Sequence, residues 1–238
     1  MHVLRKVCGQ IRTSRAVVPW RGLDQGFDPV ATAFDAVFGF VQEVCSRCQV
    51  CGQVCVRYEK VGELVLDGED ASVEFPLTVS EAYLKWCCDV GSPEEFACVG
   101  CNCSGKKPTP MVQKRLAHLP ELLVIRIERT GRSAREFKVE DFVSFPHCGK
   151  AELAAVIYKR GQKDGQPVYA CASMAQDGCF WFFEDGCAPR RLAVDIGVLF
   201  PHSVSWLVYA PAGPQAWAPS CHGQVMQLPT VRGAAGES

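Results

Sequence analysis

Two short-spaced cysteine pairs, Cys48-Gln-Val-Cys51-Gly52 and Cys98-Val-Gly-Cys101, limit this chain more than any other feature. A two-residue gap lets the backbone fold into a knuckle that aims both sulfurs at one point, so two pairs can fill one tetrahedral zinc site. Gly52 follows the first pair, where such a knuckle needs a residue that tolerates positive φ. The spacing predicts Cys48, Cys51, Cys98 and Cys101 as ligands. Cys45-Ser-Arg-Cys48 repeats the same gap, and Cys103 is a possible substitute in the second pair. Gly52 and the strand-like run after it favour Cys48 and Cys51. The long stretch between the pairs means that the metal would join two separate hairpin tips. With all four positions filled by protein its role is structural.

Composition narrows the setting. The 238 residues are 48% hydrophobic and 21% charged, with a formal net charge of -1. A chain of that length holds one sizeable core or two small ones. Without concentrated positive charge, nucleic acid is not expected as a partner; a protein partner suits the mixed surface better. No stretch approaches the roughly 20 apolar residues that cross a bilayer, and the N-terminus has no apolar signal segment. The 15 cysteines are odd in number, and Cys55 and Cys171 sit in apolar runs. Buried thiols in a reduced compartment, cytoplasm or nucleus, explain them better than a disulfide scaffold.

Along the chain, residues 1–28 read as irregular. Asp28-Pro29 is an N-cap with proline at the first helical position, and Val30, Ala33, Phe34, Val37, Phe38 and Val41 share a helical face, predicting a helix over Pro29–Val41. Val54, Val56 and Tyr58 alternate as in a strand, and Leu64-Val65-Leu66 precedes an Asp67-Gly68 turn; both read as hairpin strands. Thr78-x-x-Glu81 is a capping box opening a helix with Val79, Ala82, Tyr83, Trp86 and Cys87 on its core face. Leu122–Ile127 suits a central strand. Ala154–Tyr158, Val168–Ala172, Phe180–Phe183 and Val204–Tyr209 are further strands, and residues 211–238 read as a disordered tail. The sum is an α+β fold with a mainly antiparallel sheet.

In this order the segments resemble the ubiquitin-specific proteases, papain-like cysteine deubiquitinases. Cys48–Leu66 and Phe96–Asn102 are similar to that family's two zinc knuckles, and Leu119–Arg129 to its Leu-Pro-x-x-Leu-x-x-x-Leu-x-Arg strand. Phe137-Lys138 and Val143–Pro146 match the segment that follows. Glu152–Ile157 with Gly161 looks like the strand leading to the catalytic histidine, Trp181–Asp185 like the strand with the acidic triad member, and Trp206–Tyr209 like the closing strand. The resemblance implies zinc-bound β fingers (residues 45–103) and a β palm within a domain spanning 29–210. It also implies that ubiquitin or a ubiquitin-like protein is cradled between them.

The departures are chemical. The sequence holds no Asn-x-x-Cys box for the nucleophile; Cys8 in Lys-Val-Cys-Gly-Gln lacks its flanking residues. The chain is expected to begin too late for the family's thumb, leaving a palm face to be covered by the helix Pro29–Val41 or by a partner. Aligning Gln166–Ala170 on Gly-His-Tyr-x-Ala puts Pro167 at the histidine, while Glu184 keeps the acidic position. Thiol catalysis needs a thiolate, a base and a group orienting that base. Proline cannot take a proton, so the implied protein is an inactive, ubiquitin-binding or scaffolding module. The alternatives are an active deubiquitinase seen as a truncated chain, and an interaction protein that no longer binds ubiquitin. His118, His147 and His202, the adjacent Cys221-His222, and His2 form no recognisable dyad, because extended neighbours point to opposite faces. Lys106-Lys107 reads as a solvated loop.

Overall fold

Leu123, Ile125 and Ile127 alternate with Val124 and Arg126, the period-2 pattern of a strand with one face in a core. In the computed structural model they lie on β6 (Leu123–Glu128), inside an eight-stranded sheet. The structure describes residues 37–68, 77–88, 110–117, 119–129, 136–146, 148–163, 166–175, 179–184, 187–192 and 203–213, without the side chains of 110–111 and 162–167. The expected helix over 29–36, the second cysteine pair, all five histidines, Lys106-Lys107 and the tail from residue 214 lie outside them.

The first elements form a three-stranded antiparallel sheet. β1 (Phe40–Cys48) lies between β2 (Val54–Val61) and β5 (Pro110–Leu116). The larger sheet includes β3 (Leu64–Asp67), β6, β9 (Gly149–Lys163), β10 (Gln166–Met174), β11 (Phe180–Glu184), β12 (Arg190–Arg191) and β13 (Val204–Pro211), in the order β12-β11-β10-β9-β13-β6-β3. β8 (Phe142–Phe145) pairs with β9 off that path, and β4 (Leu77–Thr78) pairs with β7 (Phe137–Lys138). All pairings are antiparallel except β3 with β6 and β4 with β7.

The capping box forms as its sequence implies. The Thr78 hydroxyl accepts from the Glu81 N–H at 3.2 Å, and the Thr78 N–H donates to the Glu81 carboxylate at 2.9 Å. They start α1 (Val79–Cys87), whose Val79, Ala82 and Tyr83 are buried. Glu140 accepts from both the Ser80 N–H and hydroxyl, adding negative charge at the helix N-terminus. The Tyr83 ring meets Phe145 edge-on at 4.9 Å, and its hydroxyl accepts from the Leu116 N–H at 3.2 Å. Full burial of each such side chain is worth on the order of 2–3 kcal/mol. One cross-sheet row, Leu207–Val156–Ala172–Phe182, shows how the large sheet feeds this core: each is at most 2% exposed.

Three elements differ from expectation. The helix predicted to reach Val41 is replaced by strand from Phe40 onward, with only residues 37–38 helical before it. β1 is a central strand buried on both faces: Val41 and Glu43 on one, Val44, Ser46 and Cys48 on the other. Apolar residues on such a strand need not alternate, and here their spacing imitates a helix. Leu64–Leu66 is a strand but not part of a hairpin with its predecessor; β3 leaves the small sheet and pairs parallel with β6. β13 also runs one residue into the predicted tail, to Pro211.

Candidate functional site

Two places carry chemistry-bearing residues. The first is the turn between β1 and β2. The Gly52 N–H donates to the Cys48 carbonyl at 2.9 Å, and the Cys48 N–H donates to the Gln53 carbonyl at 2.9 Å. Gly52 adopts φ +73, the left-handed conformation expected of it. The turn folds Cys51 back over the strand end that carries Cys48. Cys48 is 1% exposed, whereas Gln49 through Cys55 are all exposed. A buried sulfur at the root of an otherwise solvated turn fits a metal ligand.

The alternative pair fares differently. Cys45 and Cys48 lie three positions apart within the single strand β1, so their side chains leave on opposite faces, about 10 Å apart along the strand. They cannot share a metal without breaking the ladder. Among the described residues no group of three or more His, Cys, Asp or Glu side chains is placed to hold an ion. Cys98 and Cys101 are not among those residues.

The second place is the β9–β10–β11 end of the large sheet. Ala170 pairs with Glu184 across β10 and β11, and Pro167 pairs with Gln162 across β10 and β9. Pro167 therefore stands three positions, about 10 Å, along β10 from the partner of Glu184. A register irregularity between Val168 and Tyr169 leaves Arg160 as the extra residue on β9. Such bulges re-aim side chains. The Arg160 guanidinium reaches across β10 to within 3.6 Å of the Glu184 carboxylate. The acidic residue thus has a cation beside it where the resemblance implies an imidazole. Sequence reading missed Arg160; its signal was the adjacent Gly161, the residue that stands opposite Val168 at the irregularity.

Beside Glu184 is a cavity of about 280 Å³ lined by Ile157, Tyr169, Ala170, Cys171, Phe183, Glu184 and Cys187. Burial pushes the Cys171 thiol above its ordinary range. Cys87 and Cys148 are pushed up to about 12, chiefly by burial. Raised thiols are poor nucleophiles because the thiolate is the reactive form. In the small sheet, sequence reading also missed a cross-strand ion pair: Arg115 donates to both oxygens of Glu43, at 2.9 and 3.0 Å, with side chains 7% and 3% exposed.

No family model matches the chain, and no curated protein matches it. Solved structures do. The chain is similar to the SAGA DUB module Ubp8/Sgf11/Sus1/Sgf73 bound to monoubiquitin, with a TM-score of 0.60 and 14% identity over 83% of this chain and 45% of that one. It is also similar to the same module bound to ubiquitin aldehyde (TM-score 0.58, 14% identity, 79% and 43% covered). A third match is the yeast module with an Sgf73 mutant (TM-score 0.61, 13% identity, 90% and 48% covered). The chain spans less than half the length of each matched chain. The chain's fold, mostly antiparallel sheet with a helix packed on it, is similar to the fold of these structures. Among the described residues no helix is long and apolar enough to cross a membrane.

Proposed function

We propose that this chain is a fingers-and-palm module that binds ubiquitin or a ubiquitin-like protein and does not cleave it. The observation that carries the reading is one juxtaposition: a knuckled three-stranded sheet beside an eight-stranded one, in a fold whose solved neighbours include a deubiquitinase module bound to monoubiquitin. Zinc would be held by Cys48, Cys51, Cys98 and Cys101 and would tie the finger tips together. The backbone turn at Gly52, with its positive φ and its N–H bonded to the Cys48 carbonyl, supports the first half of that ligand set.

Inactivity follows from the palm. The position matched to the general base is Pro167, which has no proton acceptor, and the matched carboxylate, Glu184, lies beside Arg160. With proline at the matched position, the sequence supplies no imidazole there for Glu184 to orient. Titration of labelled ubiquitin, followed by NMR or calorimetry, is expected to saturate below millimolar concentration. Ubiquitin-rhodamine is expected to stay intact. Turnover blocked by iodoacetamide would instead make the chain a hydrolase, and absence of binding up to millimolar would leave an interaction protein without this ligand.

A further inference from the structure

The face of the large sheet turned away from its core carries a row of its own: Trp206, Ile157, Cys171 and Phe183 are successive cross-strand partners on β13, β9, β10 and β11. The Cys187 N–H donates to the Glu184 carbonyl at 3.1 Å, which holds Cys187 near the end of β11. Cys171 and Cys187 line the same 280 Å³ cavity. Both are free thiols, Cys171 half-buried and Cys187 exposed. Ala188 and Pro189, between Cys187 and β12, are exposed as well.

We propose that Cys171 and Cys187 form a redox dithiol that a hydroperoxide closes to a disulfide across this cavity. The exposed Cys187 is attacked first. Its sulfur takes the terminal oxygen of the hydroperoxide, the O–O bond breaks, and the thiol proton leaves with the other oxygen, giving a sulfenic acid and an alcohol, or water where the oxidant is hydrogen peroxide. The Cys171 sulfur then displaces the sulfenic oxygen. The S–S bond forms, the S–O bond breaks, and the Cys171 proton leaves with the hydroxyl as water. In sum two thiols lose two electrons and one peroxide gains them. Burial, which raises the Cys171 thiol, disfavours it for the first attack, so the exposed Cys187 reacts first. The bridge would shut the cavity beside Glu184 and staple the turn after β11 to β10. It assumes nothing about ubiquitin, so its failure would leave the binding reading untouched.

The zinc-loaded full chain is treated with hydrogen peroxide, remaining thiols are alkylated, and peptides are mapped without reductant. The expected product joins the Cys171 and Cys187 peptides, two hydrogens lighter, and separates with dithiothreitol. Cys171→Ser should leave a Cys187 sulfenic acid that dimedone traps. A second measurement does not depend on any variant: phenylarsine oxide, which bridges neighbouring thiols, should protect both cysteines of the reduced protein from alkylation. The proposal is overturned if Cys187 bridges Cys179 instead. It is equally overturned if Cys187 proceeds to a sulfinic acid while Cys171 stays alkylatable, or if the arsenical protects neither.

Discussion

Gly52 and Arg115 show how much single residues hold in the small sheet. At Gly52 a new Cβ would find its nearest neighbour 4.0 Å away, at the Arg47 guanidinium, so space is ample. The obstacle is φ +73, where an L-residue meets its own carbonyl at a cost of roughly 1–2 kcal/mol. Gly52→Ala should lower thermal stability by about that amount and reduce bound zinc, while Gly52→Asn should do less damage because asparagine tolerates the left-handed region. Melting curves with metal analysis decide it. Arg115 poses the opposite problem. Its guanidinium donates to both oxygens of the Glu43 carboxylate out of water, so Arg115→Met strands a buried charge and should cost about 3 kcal/mol. The double variant Glu43→Leu, Arg115→Met should recover most of that loss in denaturant unfolding. A double variant no better than the single one would mean that the pair itself, and not the orphaned charge, sets the cost.

Helix α1 was legible in the sequence because its start and its face are both local signals: Thr78 and Glu81 cap it, and Val79, Ala82 and Tyr83 sit at helical spacing. The strands β6, β9, β10, β11 and β13 were legible for a similar reason, through short β-rich runs between turn formers. β1 was not. Val37, Phe38, Val41 and Val44 have helical spacing, and only pairing on both sides by β2 and β5 makes that segment a strand. The parallel pairing of β3 and the reach of Arg160 to Glu184 were equally hidden, since both depend on partners distant in sequence. The packing of α1 has a pH signature. Cys148 donates its thiol proton to the Leu116 carbonyl at 2.9 Å beside Tyr83, and burial raises it from 9.0 to about 12. Below pH 9 the thiol is protonated in both folded and unfolded chains, and its contribution is whole. Between 9 and 12 the unfolded chain gives up the proton first, so stability falls by up to about 1.4 kcal/mol per pH unit for this group. Cys148→Ser keeps a donor for Leu116 but does not titrate, and should flatten the alkaline limb of the stability curve. An unchanged limb would mean that other groups control it.

The molecule divides its burial unevenly between its two sheets. Among the described residues of the small sheet, Phe40 and Leu116, at the inner ends of β1 and β5, join the main core, and Val61 at the end of β2 packs against it. Val44, Val112 and Cys48 are buried but stand outside that cluster, toward the knuckle. The large sheet contributes Leu207, Val156, Ala172, Phe182, Tyr158 and Tyr209 to one continuous apolar body. Stability is therefore expected to fall along β1 from Phe40 to Cys48 unless something holds the far end, and local opening follows such gradients. Zinc bound by Cys48, Cys51, Cys98 and Cys101 would be that clamp, because a metal tying two distant hairpin tips contributes its binding energy to the segment it closes. Hydrogen exchange with and without a chelator tests this directly. On metal removal the amides of Val44–Cys48 and Val54–Val56 should lose protection, whereas those of β9, β10 and β13 keep theirs. Cys51→Ser should reproduce the pattern without chelator, and ubiquitin affinity should drop with it if the fingers must be ordered to grip. Equal protection of both sheets in metal-free protein would remove the clamp, and the finger strands would then owe their order to packing alone.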